Sequence, residues 1–271
     1  MTDMTEEIFG PVLHLATFRA HEISDVVHDI NATGYGLTFG VHSRIDDRIQ
    51  QIIDNLHVGN IYVNRNQIGA VVGSQPFGGE GLSGTGPKAG GPNYLSRLTS
   101  HILPASDVQC KIRANSDAVQ SGINAMRSPP EKPLQTVDLP GPTGESNQLS
   151  IYARGKILCL GPGKKLASQQ AKEARAAGCI PLRVCKGGDV DGALAPASLE
   201  NLTGFDAVVF WGNEQDARAC RRALAKREGP ILPLITSSGD ASKFHIERHV
   251  CIDTTASGGN AELLGASEQP C

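Results

Sequence analysis

The stretch KILCLGPGKKLASQQAKEARAAGCIPLRV, residues 156–184, decides the fold class. It opens with a short apolar run, Lys156 to Leu160, which predicts a buried strand, and a Gly-Pro-Gly turn follows. Apolar spacing then predicts a helix from Leu166 to Ala177, and Gly178 suits the left-handed residue that ends a helix. A second apolar run, Ile180 to Val184, predicts the next strand. This strand–helix–strand order is typical of a parallel α/β unit.

The same alternation continues towards the C-terminus. Phe205 to Trp211 predicts a third strand, Glu214 to Arg227 a helix, and Ile231 to Ile235 a fourth strand. Repeated strand–helix units of this kind predict a small Rossmann-like domain over residues 151–271. The tail from Thr254 to Gly265 is rich in glycine and small polar residues.

The first hundred residues predict a second α/β layer. Apolar periodicity indicates helices at Ile23–Asn31 and Asp46–Leu56, and apolar or alternating runs indicate strands at Leu37–His42 and Asn60–Asn64. Of the 26 residues from Gln67 to Pro92, nine are glycine, a density that no packed helix tolerates. We therefore expect a loop of specific backbone geometry there.

A helix near Ser106 to Met126 and a connector follow this loop. Ser128 to Asn147 holds five prolines and few large apolar residues, which favours an extended linker. The expected domains are residues 1–103, the helix and connector at 104–150, and residues 151–271.

Composition restricts the class of function. The chain has 271 residues, a formal net charge of -3 and a pI near 6.2, which argues against the basic surface that nucleic acid binding needs. It has neither an apolar run of 18 residues nor an N-terminal secretory signal, so we expect no membrane span. Its seven cysteines include no CxxC pair, which favours reduced thiols, no metal site and a cytoplasmic location.

Two short motifs gain specificity when they are taken together. EEIFGPV at residues 6–12 alone is typical of a strand with a Gly-Pro turn, and PFGG at 76–79 alone is typical of a tight loop. In this order and spacing they resemble the closing part of an aldehyde dehydrogenase catalytic domain. The longer stretch NRNQIGAVVGSQPFGG, residues 64–79, resembles the branch that oxidises L-glutamate γ-semialdehyde.

Two later motifs narrow the resemblance. LPGPTGESN at residues 139–147 and DTTASGGNA at 253–261 are similar to the long forms of bacterial proline utilisation A. The resemblance implies a partial aldehyde dehydrogenase catalytic domain followed by a Rossmann-like domain of α/β class. It also implies that the intact enzyme oxidises L-glutamate γ-semialdehyde to L-glutamate with NAD+, with FAD in a preceding proline dehydrogenase domain.

The resemblance assigns roles to individual residues. Glu7 would bind the nicotinamide ribose hydroxyls, as an acceptor-only carboxylate can, and Phe9 would lie near the nicotinamide ring. The backbone of Gly69 and Ala70 would bind the substrate α-carboxylate, which requires small residues. Phe77 would pack on the aliphatic part of the semialdehyde.

The tail motif is expected to act as a lid. In the long forms it would lie over the dehydrogenase site and exclude water from it. The lid residues in this chain are Thr254, Thr255, Gly258, Gly259 and Asn260.

No catalytic nucleophile is predicted in this chain. The family's catalytic thiol lies in a Gly-Gln-x-Cys-like stretch upstream of the EIFGP motif, and none of the seven cysteines has those neighbours. We therefore expect a truncated product or partial gene model, inactive alone, whose partner is the missing N-terminal half of the enzyme.

Gly161-Pro162-Gly163-Lys164 is only a weak dinucleotide signal, because the third glycine is missing. The alternative is a non-catalytic binding or assembly module that covers a dehydrogenase active site.

Overall fold

The computed structural model describes residues 8, 10–67, 70–98 and 112–255. Within these ranges, short 3-10 turns accompany five α-helices and eleven strands. In chain order these are α1 (Ile23–Ala32), β1 (Tyr35–Gly36), β2 (Thr38–Val41), α2 (Asp46–Asn55), β3 (Asn60–Val63), β4 (Glu80–Gly81), α3 (Ser116–Ala125), β5 (Gln135–Leu139), β6 (Glu145–Ala153), β7 (Lys156–Cys159), α4 (Gly163–Ala176), β8 (Ile180–Arg183), β9 (Ala207–Val209), α5 (Glu214–Ala225), β10 (Leu234–Ile235) and β11 (His245–Asp253).

The C-terminal part contains the predicted Rossmann-like layer. Its four strands are all parallel, in the order β10-β9-β7-β8. Alternate residues of β7 face opposite sides of this sheet: Leu158 packs with α3 and α5, whereas Ile157 and Cys159 pack with α4. Both faces are covered by helices, as a doubly wound α/β sheet requires. The α/β fold class predicted from residues 156–184 is confirmed.

The predicted boundaries in this layer differ by a few residues. Helix α4 begins three residues earlier than expected, at Gly163, and it ends before Gly178, whose φ is +79°. The third and fourth strands are shorter than predicted, because only residues 207–209 and 234–235 pair with neighbours. Phe205, Phe210, Trp211 and Leu232 still pack in the core from the adjoining loops, whereas Ile231 is exposed.

A second, mixed sheet joins distant parts of the chain. Its order is β2-β3-β11-β6-β5; β2, β3 and β11 are parallel, β6 is antiparallel to β11, and β5 is antiparallel to β6. All four residues of β3 are buried between β2 and β11. The predicted helices and strands of the first hundred residues are confirmed, with α1 and α2 packing on this sheet. The sheet contains strands from all three expected segments. The division into domains at residues 103 and 150 stays a prediction.

The prediction of an extended connector at residues 128–147 is wrong. Residues 135–139 form β5, and β6 begins at Glu145, so the two strands make a hairpin. The prolines of this stretch flank β5 instead of interrupting it, and Gly144 provides a positive φ of 86° in the connecting turn.

The helix expected at residues 106–126 begins at Ser116 in the described part of the chain. Asn115 caps it, since its side chain accepts hydrogen bonds from the N–H groups of Asp117 and Ala118. Residues 106–111 lie outside the described ranges. Among the residues that are described, no helix is long and apolar enough to cross a membrane.

Candidate functional site

The predicted carboxylate-binding loop leaves the end of β3. Asn64 adopts a φ of 57°, and its side chain accepts a hydrogen bond from Ser43 N at 2.9 Å, which fixes the turn out of the strand. Ala70 lies in this loop and is exposed. Its predicted partner Gly69 lies outside the described residues.

Both ends of the loop bind one carboxylate. Arg65 Nη1 donates to Glu145 Oε2, and Gln75 Nε2 donates to Glu145 Oε1 at 2.8 Å. Asn147 Nδ2 donates to the same Oε1 at 2.8 Å. Burial alone raises the pKa of Glu145, but these hydrogen bonds and the charge of Arg65 outweigh it and lower the pKa below its usual value. The carboxylate is therefore held in its charged form.

Phe77 lies in a second turn that β3 and a buried lysine hold in place. It forms a two-way backbone bridge with Ala89, at 2.9 and 2.8 Å, and its side chain is half-buried. Asn60 of β3 donates to Pro76 O at 2.8 Å and accepts from Gly78 N at 3.2 Å. The residues on both sides of Phe77 are thus fixed by one amide side chain.

The buried side chain of Lys88 also holds this turn in place. Its Nζ donates to Gly78 O and, at 2.9 Å, to Asn60 Oδ1, and only 1% of the residue is exposed. Burial lowers the pKa of Lys88 to about 7, although Glu247 and Glu80 act in the opposite direction. Sequence reasoning missed both Lys88 and the Glu145 cluster, because their partners are distant in the chain.

Close backbone contacts explain part of the glycine density in this region. A Cβ added at Gly59 would lie 2.0 Å from Gly78 O, and one at Gly79 would lie 2.8 Å from Gly36 O. No side chain fits at either position, so the Phe77 turn can lie directly against the end of the sheet.

The stem of the predicted lid contacts the hairpin turn. Thr254 N donates to Gly144 O at 2.8 Å, and the methyl group of Thr255 lies against Gly144. Thr255 also donates to Asp253 Oδ1 through its N–H, at 2.9 Å, and its hydroxyl, at 2.6 Å. Gly258, Gly259 and Asn260, the other predicted lid residues, lie outside the described ranges.

The predicted cofactor residues Glu7 and Phe9 also lie outside the described ranges.

The Gly161 turn, weak as a dinucleotide signal, is closed by a side chain. Gln170 accepts from Gly161 N at 2.9 Å and donates to Gly161 O at 2.7 Å. The N–H of Gly161 is therefore already paired, which removes one of the donors that a phosphate-binding turn would offer.

The five described cysteines are free and buried, and none is activated. Burial raises the pKa of Cys159 to about 12 and those of Cys220 and Cys251 to about 11. Burial also raises the pKa values of Cys179 and Cys185. A nucleophilic thiol needs the opposite shift. Cys110 and Cys271 lie outside the described residues.

A cavity of about 380 Å³ lies where the glycine-rich loop, β6 and β11 meet the four-stranded sheet. Its walls carry the Glu80–Arg248 ion pair, whose closest atoms are 2.9 Å apart. Arg154 borders it and donates to the carbonyl oxygens of Thr85, Lys243 and His245. These contacts hold the loop and the second sheet together.

The fold and the loop motifs resemble one class of protein. Residues 1–101 match the aldehyde dehydrogenase family. The α/β fold agrees with that family, and a Rossmann-like layer follows the matched residues.

The particular resemblance is to proline utilisation A, as the motifs at 139–147 and 253–261 predicted. The chain is 38% identical over 304 aligned residues to the bifunctional protein PutA of Escherichia coli (strain K12), covering 97% of this chain and 23% of that protein. The chain thus spans about a quarter of the length of this relative. It is 50% identical over 93 residues to the 1-pyrroline-5-carboxylate dehydrogenase of Bacillus thuringiensis (strain Al Hakam), covering 34% of this chain and 18% of that enzyme.

A solved structure agrees with the fold. PutA from Corynebacterium freiburgense superposes with a TM-score of 0.55 at 20% identity, covering 86% of this chain and 24% of that one. At this identity the likeness shows the fold alone. The predicted resemblance to PutA rests on the sequence relatives and is confirmed by them.

Proposed function

We propose that this chain supplies the C-terminal part of an aldehyde dehydrogenase site that oxidises L-glutamate γ-semialdehyde to L-glutamate with NAD+. The observation that carries this proposal is the loop between Asn64 and Gly79. It matches the semialdehyde branch of the family in sequence, and it presents Ala70 and Phe77 on two turns anchored to the end of β3.

The two turns suit the two halves of the substrate. The main chain at Gly69 and Ala70 would bind the α-carboxylate, because small residues let N–H groups approach an anion. Phe77 would pack on the aliphatic carbons, and its half-buried side chain leaves apolar surface for that contact. Glu7 and Phe9 would bind NAD+, and FAD would belong to a separate proline dehydrogenase domain.

The catalytic thiol of this site would come from a polypeptide segment other than the described residues. The five described thiols are buried with raised pKa values, and thiolate attack on an aldehyde requires an accessible thiol of lowered pKa. We therefore expect this chain alone to be inactive, and its partner to be the N-terminal half of the enzyme. Free cysteines also support a cytoplasmic location.

The test is reconstitution. The chain would be mixed with a polypeptide that carries the Gly-Gln-x-Cys segment and the dinucleotide fold of a PutA relative, and semialdehyde-dependent NADH formation would be measured. We expect turnover from the mixture and none from either part. Phe77→Ala should raise KM for the semialdehyde, whereas Phe77→Leu, which keeps apolar contact, should raise it less. A folded complex without turnover would contradict the proposal.

A second candidate function is a non-catalytic module that covers a dehydrogenase site. The exposed apolar side chains near the N-terminus favour docking on another surface, since Leu13 and Leu15 are 82% and 87% exposed. Size-exclusion chromatography and hydrogen exchange on the mixture would distinguish the two functions. Stable association without NADH formation favours the module, and association with turnover favours the enzyme part.

A further inference from the structure

We propose that Glu145 is a positioning residue for the carboxylate-binding loop, so that the β5–β6 hairpin forms part of the substrate site. The inference rests on the proposed function, because that function gives the loop its role. Among the described residues, Glu145 accepts hydrogen bonds from Arg65 and Gln75, which lie on either side of the predicted carboxylate-binding residues. It acts through the two ends of their loop.

The loop depends on its ends for its position. Its middle is exposed: Val72 is 86% exposed and Val71 is 53% exposed. Exposed residues of this kind bury little surface, so packing contributes little to fixing them. Arg65 and Gln75 close the loop on its two sides, and Gln75 is buried. Gly73 N also donates to Gly90 O at 3.0 Å, so the contacts of Arg65 and Gln75 hold the loop together with this hydrogen bond.

Glu145 holds both side chains at once, one through each carboxylate oxygen. Oε2 accepts from Arg65 and Oε1 accepts from Gln75. Only an ionised carboxylate offers acceptors on both sides, because a glutamine would turn an N–H₂ group towards one of the two donors. Charge-assisted hydrogen bonds of this kind are roughly twice as strong as neutral ones. The geometry therefore requires the charge of Glu145 as well as its size.

The same turn also receives the lid stem. Gly144 O accepts from Thr254 N at 2.8 Å, one residue away from Glu145. The stem residue Thr254 and the two ends of the predicted carboxylate loop are thus held by the consecutive residues Gly144 and Glu145. A shift of this turn would move both, which gives the hairpin a role in the site beyond its contribution to the sheet.

Hydrogen exchange on the full chain tests this role without relying on activity. The amides of Gly73, Ser74 and Gln75 are hydrogen-bonded and report on the loop. In Glu145→Gln we expect them to exchange about tenfold faster or more, the effect of losing charge-assisted hydrogen bonds. The amides of α4 and of the β7–β8 pair should be unchanged. Asp189→Asn is the matched control, because it breaks a similar two-oxygen contact to Arg183 far from the loop.

Steady-state kinetics of the reconstituted enzyme provide a second test, because a purely structural role would not change KM selectively. Glu145→Gln should raise KM for the semialdehyde at least about tenfold and change kcat much less, because substrate binding loses its fixed loop. Glu145→Asp, which keeps the charge, should restore part of the loss.

The outcomes separate the two proposals. An inactive wild-type mixture would remove the proposed function, while exchange in the variant would still decide whether Glu145 holds the loop. Unchanged exchange at residues 73–75 would overturn the positioning role even if the wild type turns over. Faster exchange throughout both sheets would overturn it too, since Glu145 would then support the fold in general.

Discussion

Glu247 of β11 accepts a hydrogen bond from the backbone N–H of Lys88 at 2.6 Å, and its other oxygen accepts from Asn93 Nδ2 at the same distance. A carboxylate on the last strand of the described chain thus fixes the glycine-rich loop that carries the Phe77 turn. Glu247 is buried, so these hydrogen bonds are shielded from water.

Replacing this carboxylate by an amide is expected to destabilise the protein. In Glu247→Gln the side chain loses its charge and turns an N–H₂ group towards one of two donors, at a cost of about 1–3 kcal/mol. Urea unfolding followed by circular dichroism measures this free energy. Glu214→Gln is the control: it breaks the exposed Arg221–Glu214 pair and should cost less than about 1 kcal/mol. Equal losses in the two variants would contradict the prediction.

Lys88 predicts a rise in stability with pH. Its folded-state pKa of about 7 lies below the ordinary value of 10.5, so between these limits the unfolded chain binds more protons. The free energy of unfolding should therefore rise from this group by about 2 kcal/mol between pH 7 and pH 9. Lys88→Met removes the titrating group, and its stability should change less over the same interval. Parallel urea titrations of both proteins decide the question, and identical pH slopes would rule the shift out.

Glu145 predicts a loss of stability in acid. Its folded-state pKa is lowered, so its contribution is present above the unfolded pKa of about 4.3 and is lost as pH falls through the folded value. Glu145→Gln should lower stability at neutral pH and show a shallower decline below about pH 4.5. Thermal melts at several pH values measure both effects. A variant that declines as steeply as the wild type would show that other groups dominate.

Gly144 allows a paired test of the lid stem. Its φ of +86° disfavours any side chain, and an added Cβ would lie 2.3 Å from the Thr255 methyl carbon. Gly239 has a similar φ of +83° with open space around it. Gly144→Ala and Gly239→Ala should therefore share a backbone cost of about 1 kcal/mol, and only the first should displace Thr255.

Hydrogen exchange at Thr254 distinguishes the two glycine variants. Its amide, bound to Gly144 O, should lose protection in Gly144→Ala and keep it in Gly239→Ala. Equal protection in the two would show that the stem does not depend on this contact.

The fold could be predicted wherever local pattern determines structure. Residues 156–184 carry strand and helix periodicities within one short stretch, and the structure follows them. Strand β11 has no such signal, because His245, Glu247, Arg248 and His249 interrupt its apolar residues. It becomes a strand by pairing with β3 on one side and β6 on the other. The sequence does not predict the β5–β6 hairpin, because the prolines beside its strands are typical of a linker. These prolines lie outside the strands and do not interrupt them.

The candidate site could be predicted only in part. The resemblance named Ala70 and Phe77, which occupy neighbouring turns, and Thr254 and Thr255 at the lid stem. It assigned no role to Glu145, which meets Arg65 from 80 residues away, or to Glu247, which meets Lys88 from 159 residues away. Contacts at such separations follow from the packing of sheets and produce no periodic pattern in the sequence.

The parallel pairing of β3 with β11 has a consequence for biosynthesis. His249 lies beside Asn60, which precedes it by roughly 190 residues, and both are fully buried. Until β11 has been synthesised, one edge of the four-residue strand β3 has no native neighbour within the nascent chain. The sheet can therefore be completed only after β11 has been synthesised, and this edge of β3 is open to wrong partners until β11 pairs with it.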